Sequence, residues 1–71
     1  MSFSEDIKRI RTELMLSQTE FGQQINVGYP TILRWENGKS KPNLKAQRAL
    51  ASFCKENGIA FDILKSLEED E

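Results

Sequence analysis

Four basic side chains are concentrated in one stretch of the sequence, and they are Arg34, Lys39, Lys41 and Lys45. The only acidic residue within this stretch is Glu36. Such a stretch can neutralise the phosphates of a nucleic acid, but a solvated charged surface has this composition about as often. The overall charge of −1 does not decide between them, because the last four residues are all acidic and residues 1–67 carry ten basic and seven acidic side chains.

Side chains that commonly perform catalysis or bind metals are scarce. The chain has no histidine and a single cysteine, Cys54, so neither an internal disulfide nor a zinc site can be built from it. Cys54 follows Phe53 in an apolar helical pattern, which indicates a small core residue more often than a reactive thiol. No Ser, Cys or Lys stands beside a recognisable catalytic partner, so we expect no enzyme, no metal and no cofactor.

The elements that position the basic stretch begin with Ser17 and Glu20. A Ser-x-x-Glu pair satisfies two free amides at a helix N-terminus, and it predicts a helix over residues 18–25. Asn26 tolerates a left-handed backbone, which predicts a tight turn over residues 26–28. Gly28 as N-cap and Pro30 in the first turn then predict a second helix over residues 29–37.

A helical wheel divides this second helix into two sides. Ile32, Trp35 and Glu36 lie together on one side. The other side carries Pro30, Leu33, Arg34 and Asn37. An apolar inner side with an arginine outside suits entry into a DNA groove, although periodicity alone fits any small amphipathic helix equally well.

Three further helices are predicted around this pair. An apolar stripe of Phe3, Ile7, Ile10 and Leu14, with Ser4 as N-cap, predicts a helix over residues 5–14. Residues 38–42 form a loop by composition. Asn43 then caps a helix that ends at residues 57–58 and buries one side, which we assign to Leu44, Ala46, Ala49, Leu50 and Phe53.

The last predicted helix is short and lies within residues 59–67. Ile59, Phe61 and Ile63 cannot all face inward on one short helix, so we expect an apolar remnant at the surface. Such a remnant would suit a dimer contact, and an ordinary exposed side chain on a small monomer is nearly as compatible with it.

The length of 71 residues allows one domain, assigned to residues 1–67, followed by an acidic tail over residues 68–71. The chain has 38% hydrophobic and 30% charged residues, a globular composition. It has no apolar run that could span a membrane and no signal-peptide pattern at its start, so a cytoplasmic location without membrane contact is expected.

The stretch SQTEFGQQINVGYPTILRWENGKSKP resembles the helix-turn-helix of the phage repressor and Cro family, also called the Xre family. The resemblance rests on Gln18, Gly22, the pair Thr31-Ile32 and the run RWENG, followed by Lys39 and Pro42. It extends over residues 7 to about 50. Two departures are that family members often carry Gly where Met15 and Asn26 stand, and a polar residue where Gly28 stands. Met15 would therefore need an altered or strained loop.

The resemblance implies an all-α fold: a compact bundle of four to five short helices containing a helix-turn-helix, as in lambda repressor-like DNA-binding domains. It also implies that the helix over residues 29–37 reads the major groove. Base readout is then expected from Arg34, Tyr29 and Pro30, and Pro30 is about as compatible with serving only to start the helix. Phosphate contacts are expected from Gln18, Thr31, Asn37, Lys39 and Lys41. Arg11 and Glu36 occupy positions that form an inward-facing ion pair in similar proteins.

These expectations together indicate a sequence-specific protein for double-stranded DNA, most simply a transcriptional repressor. One such module presents few base contacts, so a homodimer is expected, at least on DNA. Two alternatives remain open: an antitoxin-like module that binds a protein partner, or the DNA-targeting domain of a larger protein.

Overall fold

The computed structural model describes residues 2–68, and this part of the chain contains five helices and no strand. The helices are α1 Phe3–Glu13, α2 Gln18–Gln24, α3 Tyr29–Glu36, α4 Leu44–Glu56 and α5 Ile63–Glu68. The predicted all-α bundle is therefore confirmed. Of the predicted acidic tail, Glu68 is the last residue of α5, and residues 69–71 lie outside the described part.

Helix α1 begins earlier than the sequence analysis placed it, because Ser2 and not Ser4 is its N-cap. The Ser2 hydroxyl accepts a hydrogen bond from the backbone N–H of Glu5, and the Glu5 carboxylate accepts one from the backbone N–H of Ser2 at 3.1 Å. That bond lowers the pKa of Glu5. Ser4 lies inside the helix, so the prediction was wrong by half a turn.

The predicted capping box of α2 is confirmed, with reciprocal hydrogen bonds between Ser17 and Glu20. Two non-glycine residues, one before α2 and one after it, adopt a left-handed backbone conformation. They are Met15, at φ 57°, and Asn26, at φ 58°. Asn26 was predicted to do so. Met15 adopts this conformation with a side chain that is 90% exposed, so the strain expected of a non-glycine residue is not offset by burial.

The core is formed by the inner sides of the first four helices. Its fully buried side chains include Phe3, Ile7, Ile10, Phe21, Ile32, Trp35 and Leu50. Two edge-to-face ring pairs connect the helices: Phe3 with Trp35, centroids 5.9 Å apart, and Phe21 with Phe53, 5.6 Å apart. Cys54 belongs to this core as predicted, and burial raises the pKa of its thiol to about 11.

Helix α4 starts at its predicted cap, where the Asn43 side chain accepts a hydrogen bond from the backbone N–H of Ala46. Ala46, Leu50 and Phe53 are buried as expected, and Ala49 is half-buried against the core. Leu44 is 60% exposed, so its assignment to the buried side was wrong. At about 100° per residue, Leu44 lies about 200° from Ala46 and thus on the opposite side of the helix.

Helix α5 is shorter than the predicted segment because the Asp62 side chain caps it, accepting a hydrogen bond from the backbone N–H of Lys65 at 3.1 Å. Ile59 and Phe61 precede the helix, and with Ile63 they all pack half-buried against the core. The expectation that one of these three side chains would remain at the surface was therefore wrong, because the first two lie before the helix and are not restricted to one helical side. The exposed apolar side chain of α5 is Leu64, at 66%. The Ser66 hydroxyl donates a buried hydrogen bond of 2.6 Å to Asp6 and so attaches α5 to α1.

Between residues 2 and 68 no helix is both long enough and apolar enough to cross a membrane.

Candidate nucleic-acid interface

The two sides of α3 have opposite environments. Ile32 is fully buried and Trp35 is 2% exposed, while the Glu36 side chain retains only 5% of its exposure. Pro30, Arg34 and Asn37, on the other side, are exposed. The predicted division of the wheel is confirmed, and the outer side of α3 is available to a ligand.

The turn between α2 and α3 is held closed by a close backbone approach at Gly22. The Val27 backbone N–H donates to the Gly22 carbonyl oxygen at 2.8 Å. A Cβ atom added at Gly22 would collide with the Val27 carbonyl oxygen, and it would also touch Ile32. Only glycine therefore allows the Val27 backbone of the turn to lie this close to α2, which gives the small residue seen in the sequence a packing role.

A hydrogen-bonded ion pair joins α1 to the C-terminal end of α3. The Arg11 guanidinium donates from Nε to Glu36 Oε2 at 2.7 Å and from Nη2 to Oε1 at 3.0 Å. Its Nη1 donates to the Leu16 carbonyl oxygen at 3.0 Å, which also fixes the loop before α2. The hydrogen bonds to Glu36 raise the pKa of Arg11 above its ordinary value. The structure thus contains the ion pair that the family resemblance implied.

Gln18 is also part of this network, which the sequence analysis did not anticipate. Its Nε2 donates to Glu36 Oε1 at 3.1 Å, the oxygen that also accepts from Arg11. Gln18 is half-buried at the start of α2. No local sequence signal could have identified this bond, because the two residues are 18 positions apart in sequence and meet only through the packing of α2 on α3.

Positive charge on the outer side of α3 is not compensated locally. Among residues 2–68 the Arg34 guanidinium has neither an ion-pair nor a hydrogen-bond partner, and the nearby Glu36 carboxylate is turned inward to Arg11. Lys39 and Lys41 are exposed on the loop that follows. The loop reverses direction at Gly38, φ 71°, and its first turn is closed by the Lys39 N–H bonded to the Arg34 carbonyl oxygen at 2.9 Å.

A groove of about 470 Å³ lies between the α2–α3 turn, the loop and the first turns of α4. Its polar lining residues are Asn26, Thr31, Ser40, Lys41, Asn43 and Lys45. Thr31 and Lys41 were predicted as phosphate contacts, and the structure brings them to one groove. Lys45 and Ser40 were not singled out for a role. For Lys45 a signal existed, since it belongs to the basic stretch of the sequence.

The predicted side chains that belong to α3 differ in exposure. Tyr29 is 45% exposed at the start of α3 and Thr31 is half-buried on its flank. Asn37 is the C-cap of α3 and is exposed. No group of histidine, cysteine or acidic side chains in residues 2–68 could hold a metal ion. Within residues 2–68, α3 is firmly held and exposes Arg34 on its outer side, with the exposed Lys39 and Lys41 on the loop that follows, and such an arrangement can contact a polyanion.

Comparison with known proteins gives two matches. The model of the helix-turn-helix family matches residues 7–60 of this chain. A protein of Enterococcus faecalis described as an HTH-type transcriptional activator, BcrR, is 32% identical over 69 residues, which are 97% of this chain and 32% of that relative. The chain thus spans about a third of the length of this relative. No solved structure gives a significant match.

Proposed function

The chain belongs to the Cro/C1-type (Xre) helix-turn-helix family, and on that premise we propose that it binds double-stranded DNA sequence-specifically and regulates transcription. One observation carries the proposal. Helix α3 is anchored from behind by Ile32, Trp35 and Glu36, while its outer side exposes Arg34 without a partner in residues 2–68. A helix held rigidly with such a side outward can enter the major groove, with its N-terminal residues nearest the bases.

Base readout is assigned to Arg34, Tyr29 and Pro30. A guanidinium can donate to O6 and N7 of guanine together, and this bidentate contact is the commonest specific one in protein–DNA complexes. Arg34 is exposed and free of an ion pair within the described chain, so it can be directed at a base without first breaking an internal contact. Tyr29 and Pro30 lie one turn earlier, at the end of α3 that approaches the bases.

Phosphate contacts are assigned to Gln18, Thr31, Asn37, Lys39 and Lys41. Such contacts fix the register and the orientation of the protein without reading sequence. The bond from Gln18 to Glu36 limits the contacts that the Gln18 side chain can make with DNA. One N–H of its amide is engaged by Glu36, and the other N–H remains for a phosphate oxygen. Thr31 and Lys41 line one groove and can contact the same stretch of backbone.

We propose that two copies bind one site. A single α3 presents only a few side chains to the bases, and members of this motif class bind as dimers to half-sites about 34–36 Å apart. The expected operator is therefore an inverted repeat with that spacing. The stoichiometry on a selected duplex, measured by analytical ultracentrifugation, tests this: one copy per duplex at saturation would contradict it.

Repression is the proposed direction of regulation, because occupation of a promoter is sufficient for it and needs no further surface. The E. faecalis relative is described as an activator, so the direction needs its own measurement. In vitro transcription from a promoter containing the selected site should decrease on addition of the protein. An increase would show activation and would leave the DNA-binding proposal intact.

A second candidate function is that of a DNA-targeting domain within a larger protein. It is supported by the length of the relative, because the matched region is only 32% of that protein. The module would then target a larger protein to DNA. An antibody raised against this domain distinguishes the two in a cell lysate: a band at the size of 71 residues supports the free regulator, and a larger band supports the targeting domain.

The decisive experiment compares Arg34→Ala with Lys41→Ala after the preferred site has been selected from random duplexes. Arg34→Ala should lose about 1–3 kcal/mol on the selected site and relax the preference at one base pair. Lys41→Ala should weaken binding to all sequences alike and reduce the slope of log K against log salt by about one.

Lys55→Ala is the matched control, since Lys55 is an exposed lysine in the last turn of α4, at the opposite end from the loop. It should leave both affinity and salt slope unchanged. If the wild-type protein binds no duplex more tightly than scrambled DNA at moderate salt, the regulator proposal fails. Capture of a protein partner would then support the antitoxin-like alternative.

A further inference from the structure

The outer side of α3 carries two kinds of side chain. Arg34 and the C-cap Asn37 carry hydrogen-bonding groups. Pro30, which is exposed, and Leu33, which is half-buried, lie on the same side of the helix. Neither of these two side chains has a hydrogen-bond donor or acceptor, and proline also lacks a backbone N–H.

Leu33 has a further property that sets it apart from the other half-buried apolar residues. Eight such side chains pack against the hydrophobic core, and Leu33 is not among them. Pro30 and Leu33 are separated by three residues, so they are neighbours on the helix surface. They form a small apolar patch on α3, which we name the 30/33 patch, and it has no structural role in the core.

The major groove offers little for an apolar patch to contact. Guanine, adenine and cytosine present hydrogen-bonding atoms there, and the apolar group among the base edges is the C5 methyl of thymine. A non-polar side chain placed against any other base would displace the water bonded to the donors or acceptors of that base. It would offer no hydrogen bond in place of the one to water.

We propose that the 30/33 patch reads thymine by its methyl group and that this contact is a main source of the sequence preference, beside guanine readout by Arg34. The inference rests on the proposed function and specifies its DNA target. Along the helix axis, Leu33 lies about 1.5 Å and Pro30 about 6 Å from Arg34. The base-pair rise is about 3.4 Å. The thymine should therefore lie within about two base pairs of the guanine in each half-site.

The test replaces thymine by deoxyuridine, one position at a time, in the duplex that the wild-type chain selects. Deoxyuridine keeps every hydrogen-bonding group of the pair and removes only the methyl. At one position within about two base pairs of the guanine, the wild-type protein should lose affinity about fourfold per half-site, the equivalent of one buried carbon group. Deoxyuridine at other positions should have no effect.

A complementary pair of duplexes separates the methyl from the base. At the sensitive position, 5-methylcytosine should bind about fourfold better than cytosine, because it restores the methyl on a pair that is otherwise unchanged. Equal binding of these two duplexes would contradict methyl readout.

Pro30→Ala connects the effect to the patch. Alanine is acceptable in the first turn of a helix and Pro30 is exposed, so the fold should be retained, as circular dichroism would show. The variant should bind the thymine and deoxyuridine duplexes more equally than the wild-type protein does. Leu33→Ala provides the second variant, with the same expected result.

Two outcomes overturn the proposal without touching the proposed function. In the first, the wild-type protein prefers its selected site over scrambled DNA but tolerates deoxyuridine at every position. In the second, Pro30→Ala and Leu33→Ala both retain the full fourfold discrimination. A protein with no preference for any duplex would instead refute the proposed function itself.

Discussion

Removing either partner of the Arg11–Glu36 pair should destabilise the fold severely. The Glu36 side chain is 5% exposed and that of Arg11 is 17% exposed, so a carboxylate left without its partner would be largely shielded from water. In Arg11→Ala the carboxylate would keep a single donor, the Gln18 amide. Breaking a buried pair in this way costs about 3–5 kcal/mol, and for a domain of this size each kcal/mol lowers the melting temperature by roughly 4–8 °C.

The chain supplies a matched control on the same helix. Arg9 and Glu13 approach to 3.9 Å, but their side chains are 43% and 53% exposed. An exposed pair of this kind is worth about 0–1 kcal/mol, because water screens both charges. Arg9→Ala and Glu13→Ala should therefore show little coupling.

Urea denaturation of the four proteins in each double-mutant cycle provides the measurement. The lost bond from Arg11 to the Leu16 carbonyl appears in both the single and the double variant, so it cancels from the coupling energy. We expect coupling of about 3 kcal/mol for Arg11 and Glu36. A coupling energy of about 1 kcal/mol or less, no larger than that of Arg9 and Glu13, would refute the view that the pair holds α1 against α3.

Three further predictions follow from burial and close packing. Trp35→Ala should destabilise by about 3–5 kcal/mol, and an almost unchanged urea midpoint would contradict the burial of this ring. Gly22→Ala should lower the free energy of unfolding by about 1–3 kcal/mol, because the added methyl meets the Val27 backbone oxygen. Gly28→Ala should lower it less, since the nearest atom there is 3.6 Å away. Equal losses of stability would argue against the close approach of Val27 to Gly22. Cys54 has a pKa of about 11, so at pH 8 its thiol is protonated and buried and should react with a thiol reagent only on unfolding; equally fast reaction in buffer and in urea would contradict this.

The features of the fold that the sequence predicted well are those encoded locally. The Ser17–Glu20 capping box, the left-handed Asn26 and the Asn43 cap each depend on residues within four positions of one another, and all three are present. The N-cap of α1 is an instructive exception. Ser2 and Ser4 are both plausible caps, and the acid three residues after Ser2 was the signal that distinguished them.

Features that depend on distant contacts could not be predicted in this way. Ser66 bonds to Asp6 across 60 positions, and neither residue belongs to an apolar period. The bond from Gln18 to Glu36 was not predicted for a similar reason, because the two residues are 18 positions apart and each had been assigned a separate role. On the candidate site, the wheel predicted which side of α3 is buried, because that depends on helical periodicity alone. The roles of individual side chains on DNA depend on a partner, and they stay predictions.

The separation of roles on α3 has a consequence for how such a protein can change over evolutionary time. Ile32, Trp35 and Glu36 are committed to the interior, and substitutions there are removed by loss of folding. Pro30, Leu33 and Arg34 contribute little to the interior, so their replacement leaves stability nearly intact and alters only what is read. A new binding preference can therefore arise by one or two exchanges on the outer side, and the same positions are the natural ones to randomise when retargeting this domain in the laboratory.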